Sequence, residues 1–132
     1  MKTFQDPKIL TEIQDRIARL PAEAPRQWGK MSAHQMLCHL ADSKRGVMGA
    51  KPLAYPGTLL QRMVIKTVAL RFPIPWPKGI PTRPEMDQMA GGTKPVEFAK
   101  DKAALLELIE RMVSPNRDFQ FVAHPMFGAM SD

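Results

Sequence analysis

The stretch "KMSAHQMLCHLADS", Lys30–Ser43, decides how the chain is read. Ala33, Met36, Leu37 and Leu40, with Val47 beyond, recur at spacings of three and four, the period of an α-helix and not of a strand. Ser32 precedes that run and is its natural N-cap, because its hydroxyl can accept from a first-turn N–H. The same stretch carries two of the chain's three histidines and its only cysteine. It therefore raises the fold and the chemistry together.

Outward from this helix the period repeats. Pro7–Leu20 reads as an earlier helix, with Asp6 as N-cap, Pro7 at its first position and Ile9, Ile13, Ile17 and Leu20 as a stripe. Pro21 and Pro25 end it. Residues 48–57, "MGAKPLAYPG", read as a loop on their glycine and proline content. "TLLQRMVIKTVALRF", residues 58–72, is a third helix, apolar round most of its circumference and so expected to be buried or to lie against another apolar phase. "PIPWPKGIPTRP" follows, a long proline-rich loop that cannot continue a helix, and residues 85–94 form a further loop. Pro95–Val113 is a fourth helix, with Phe98, Lys102, Leu105, Leu106, Ile109 and Met112 as its stripe. "RDFQFVAHP" reads as extended and "HPMFGAMSD" as a turn, with Ser131 and Asp132 placed to cap another helix. The expected fold is all-α, one domain over residues 1–132.

A chain of 132 residues with 44% hydrophobic and 24% charged residues can bury one core and reads as soluble and globular rather than disordered. "MKTFQDPKIL" has no apolar core or cleavage site of a secretion signal, and no run approaches the roughly 18 apolar residues of a membrane span. Cys38 has no partner for an intrachain disulfide, which fits a reducing cytoplasm. The net charge of +6 is uneven. No acid stands between Asp42 and Glu85, an interval holding Lys44, Arg45, Lys51, Arg62, Lys66, Arg71, Lys78 and Arg83. Such a run is a solvated basic face or a surface for phosphate, anionic lipid or an acidic thiol. It lacks interleaved aromatics and any recognition motif, so no nucleic acid is expected as partner.

The chemistry narrows on helix geometry. His34 and His39 are five residues apart, about 140° round the axis, so one ion is not easily shared between them. His39 has Gln35, Asp42 and Ser43 within a turn, and Asp42 three residues on could orient its ring as carboxylates do behind metal-bound imidazoles. The plain alternative is a boundary histidine satisfied by its neighbours. Cys38 points about 100° away from His39, so the two do not form a nucleophile–base pair, and Cys38 reads as a small buried thiol. His124, before Pro125, reads as a turn residue. No phosphate loop, nucleophile elbow, paired cysteines or HExxH helix is present in the sequence.

"WGKMSAHQMLCHLADS" together with the late "HPMFGAMSD" resembles the DinB-like superfamily, specifically an uncharacterised branch that carries an HPxFGxLS turn. "GGTKPVEFAKDKAALLELIERM", residues 91–112, is similar to that branch's penultimate helix. The resemblance implies a bacterial, up-down four-helix bundle in which three histidines bind zinc or nickel. His39 matches the first ligand position; His34 and His124 match none. The other two ligands belong to a last helix after "HPMFGAMSD", so the resemblance implies a domain lacking its C-terminal helix, by truncation or frameshift. One imidazole holds zinc weakly, and no stoichiometric metal is expected in this chain.

In full-length relatives of this kind the resemblance implies a metal-dependent thiol transferase or hydrolase, the ion lowering the pKa of a bound thiol or water. His39 would be a ligand and Asp42 its orienter; the substrate is not specified. The other reading is a non-catalytic binding protein that uses the basic 43–84 segment against a membrane surface or a partner, without stable insertion. An uncovered bundle face would also favour a homodimer.

Overall fold

The computed structural model describes residues 4–54, 58–72, 79 and 81–122. Among these there are four α-helices, one short 3-10 turn and no strand. The helices are α1 (Pro7–Ala18), α2 (Ala33–Val47), α3 (Leu59–Arg71) and α4 (Phe98–Val113), and the 3-10 turn is Pro84–Met86. The all-α expectation holds. Most of the proline-rich loop, His124 and the "HPMFGAMSD" turn lie outside the described residues.

The helix starts follow local chemistry. Asp6 accepts from the Lys8 N–H at 2.9 Å, and Pro7 sits where no N–H is needed. Ser32 caps α2 in a reciprocal box: its hydroxyl accepts from the Gln35 N–H, and the Gln35 side chain accepts from the Ser32 N–H. Thr58 and Gln61 repeat that box on α3. α2 ends in a Schellman turn, with Ala50 N–H on Arg45 O and Gly49 N–H on Gly46 O; Gly49 takes φ +75°, which glycine reaches without a Cβ penalty. α4 starts three residues later than Pro95. The Asp101 carboxylate takes the Val96 N–H at 3.1 Å and holds that residue outside the helix.

The core lies between α2 and α4, with α1 packed on α4. Leu37, Ala41 and Met48 meet Leu105, Leu108 and Ile109, flanked by Leu10, Ile17, Leu20, Phe98, Met112 and Phe119. The buried face of α2 is turned from the expected stripe toward Cys38, Ala41, Asp42 and Gly46, and Met36 is exposed. Two features turn it. A side chain at Gly46 would clash with Leu53, which packs there. Asp42, fully buried, ties two loops to the helix. Lys102 carries its ammonium over the Phe98 ring and donates to Ala18 O and Leu20 O, placing a cation on the carbonyl end of α1.

α3 departs from this packing. Among the described residues it meets none of the other elements, and Leu60, Met63, Val64, Ile65, Val68 and Phe72 are exposed. These apolar side chains are therefore uncovered within the described chain.

Candidate functional site

The two histidines of α2 serve opposite edges of the helix. On one edge, His39 Nδ1 lies 2.9 Å from the carbonyl oxygen of Met86, on the 3-10 turn. A carbonyl can only accept, so Nδ1 carries the proton and donates. In the neutral ring the lone pair is then on Nε2, the form in which an imidazole binds a metal. The 3-10 turn, started by Pro84, presents that carbonyl to α2.

Asp42 does something other than orient that ring. Its two oxygens accept from Lys51 Nζ at 2.8 Å, Thr93 N and Oγ1 at 2.7 Å each, Arg45 at 3.2 Å and Gln88 Nε2 at 3.4 Å. His39 is not among these partners. Burial pushes the carboxyl pKa up, but the Lys51 ammonium and the two Thr93 donors outweigh it and hold the group below the usual range. Asp42 thus stays ionised while pinning residues 51 and 88–93 to α2. It also absorbs part of the basic run: Arg45 and Lys51 spend their charge on Asp42, and Arg83 binds Glu85 and the Ala54 carbonyl.

On the other edge the structure gathers a group that the sequence did not single out. His34 Nε2 lies 2.6 Å from Asp101 Oδ2, and one donor atom each of His34, Cys38 and Asp101 lie within 4.8 Å of one another. The His34 ring stands edge-on to Phe98, 5.3 Å between centroids, which fixes its orientation. Cys38 is buried, with its thiol beside the Asp101 carboxylate. Burial, then the charge of the neighbouring Asp101, push the thiol pKa up to about 11, so it is protonated at neutral pH. Cys38 is no free nucleophile, in line with the sequence reading. Asp101 is pushed up by its own burial, yet the His34 bond and the Val96 N–H hold it below the ordinary carboxylate range.

One signal for this group was legible. His34 and Cys38 are four residues apart, about 40° round the helix, and so share an edge. Comparing His34 only with His39, and Cys38 only with His39, hides that pair. Asp101 had no signal, because only the α2–α4 packing brings it there.

The three-histidine ion that the resemblance implies does not fit the described residues: no group of three donors there includes His39. No protein-family model matches this chain, and no curated protein or solved structure is detectably similar to it.

Proposed function

We propose that the chain is a DinB-like helical protein, related to divalent-metal-dependent thiol transferases and hydrolases, in which His39 retains the first ligand position. One observation carries this reading: the Nδ1–H to Met86 carbonyl bond, which sets the tautomer that leaves Nε2 free to bind an ion. A histidine serving only as packing needs no such fixed lone pair. With no group of three donors that includes it among the described residues, His39 gives weak contact with an ion and no stoichiometric site.

The test is imidazole nitrogen NMR with nickel added. The neutral His39 ring should be in the Nδ1–H form, and nickel should broaden it selectively. His39→Asn, whose amide can still reach Met86, should lose the broadening and keep the fold. An Nε2–H tautomer, or a His39 signal indifferent to nickel, would overturn the reading.

The exposed apolar side of α3 favours a second reading, a non-catalytic binding protein working through residues 43–84. Lys66 and Arg71 stand on that helix among Leu60, Met63, Val64 and Val68, so it offers basic and apolar groups together, the apolar ones spread round the axis rather than along one face. No helix among the described residues is long and apolar enough to cross a membrane. Co-sedimentation with anionic vesicles supports this reading. A lipid-independent monomer that turns over a thiol substrate with added nickel or zinc excludes it.

A further inference from the structure

We propose that His34, Cys38 and Asp101 form a zinc site of their own, on the edge of α2 away from His39 and across the α2–α4 seam. This goes beyond the DinB-like reading, in which neither His34 nor Cys38 is a ligand.

The donor set is the first argument. One imidazole, one thiol and one carboxylate converge from two helices, and zinc accepts all three ligand types. Tetrahedral zinc, with bonds of about 2.0–2.3 Å, needs its ligand atoms roughly 3.3–3.7 Å apart. The observed atoms bracket that range: His34 Nε2 and Asp101 Oδ2 are at 2.6 Å and all three lie within 4.8 Å. Opening the one pair and drawing in the thiol requires shifts of about an ångström, within the reach of side-chain torsions.

The surroundings are the second argument. Phe98 fixes the His34 ring and the Val96 N–H fixes the carboxylate, so two donors are held before an ion arrives. The His34 and Asp101 side chains are 22% and 23% exposed, whereas Cys38 is buried. An ion can therefore enter from solvent and be gripped from beneath. Binding releases the thiol proton to solvent and moves the proton that His34 Nε2 shares with Asp101 to Nδ1 of the neutral ring, so that two metal bonds replace the His34–Asp101 hydrogen bond. Three protein ligands leave a fourth position for water or an exogenous ligand, the arrangement of zinc centres that do chemistry rather than only brace a fold.

Cobalt is the probe, because thiolate bound to cobalt(II) gives a near-ultraviolet charge-transfer band. The intact protein, stripped of metal and titrated, should take up one cobalt per chain with that band, and zinc should displace it. Cys38→Ser should abolish the band. His34→Gln, at a partly exposed position, and Asp101→Asn should weaken zinc by more than the ~10–100-fold that even outer partners of a ligand cost. His39→Gln should leave the band and the stoichiometry unchanged. Circular dichroism of each variant separates a lost ligand from a lost fold, and His34→Gln keeps the test alive if Cys38→Ser unfolds. Uptake well below one ion per chain, or uptake without a thiolate band, overturns the site. So does binding that survives His34→Gln and fails in His39→Gln, a result that would leave the His39 reading standing.

Discussion

His34 Nε2 sits 2.6 Å from Asp101 Oδ2 across 67 positions of sequence, the shortest polar link between α2 and α4 among the described residues. It joins the two helices that hold the core, at the end where α2 begins and α4 begins. The carboxylate is also the Val96 acceptor and lies beside the Cys38 thiol, so one side chain fixes a helix start and a helix seam together.

That carboxylate makes stability depend on pH with a definite sign. Its folded pKa is lowered below the ordinary value of 3.8. A lowered carboxyl stabilises fully above its unfolded pKa, and the contribution is lost as pH falls through the folded one. Chemical denaturation from neutral pH down through that carboxyl range should show decreasing stability, and Asp101→Asn should flatten part of the fall. At neutral pH the same variant should cost about 1–2 kcal/mol, since charge-assisted bonds are replaced by neutral ones.

Asp42 is the larger anchor. Asp42→Ala should lower unfolding free energy by about 2–3 kcal/mol, because it removes a buried carboxylate and with it the charge-assisted bonds from the partly exposed Lys51 ammonium and from both Thr93 donors. Asp42→Asn should recover only part, as the amide repels one donor it faces. Urea titration reads both, and hydrogen exchange should show the loss concentrated in residues 51–54 and 88–94. If Asp42→Ala leaves the loops protected, Asp42 does not hold them.

How much of this was legible in the sequence divides by distance along the chain. Caps are local, so Asp6, Ser32 and the helix period were readable from a few neighbouring residues. The buried face of α2 differs from the stripe its period predicts, because a carboxylate counts as polar until its partners are known. Lys51, Gln88 and Thr93 reach Asp42 from 9 to 51 positions away. Leu108 likewise lies outside the stripe expected on α4, yet it is buried on the α2 seam. The His34–Cys38 pair was readable from its spacing of four; its third member was not, because no period on α2 points to a residue of α4.

Gly46 tests the packing that turned α2. Its missing side chain leaves room for Leu53, and a Cβ there would run into that leucine. Gly46→Ala should therefore destabilise by about 1–3 kcal/mol in spite of alanine's better helix propensity. Pairing it with Leu53→Ala should give less than the sum of the two single losses, because the second change removes the clash. Strict additivity in thermal or urea unfolding would show that the two side-chain positions do not compete.

α3 makes the opposite prediction, that changing apolar residues costs little. Met63, Val64 and Val68 are 58%, 55% and 40% exposed and touch no other described element, so Met63→Lys and Val64→Lys should each shift unfolding free energy by less than about 0.5 kcal/mol. The same changes should reduce whatever the helix does outside the monomer. If a second copy covers it, sedimentation velocity should show concentration-dependent dimers that the lysines dissolve. If an anionic surface covers it, wild-type protein should pellet with anionic and not neutral vesicles. The lysine variants should then lose the part of binding that survives high salt, because salt screens charge and leaves apolar insertion intact. A large stability loss in either variant would instead place α3 in a core, against the exposure of its side chains.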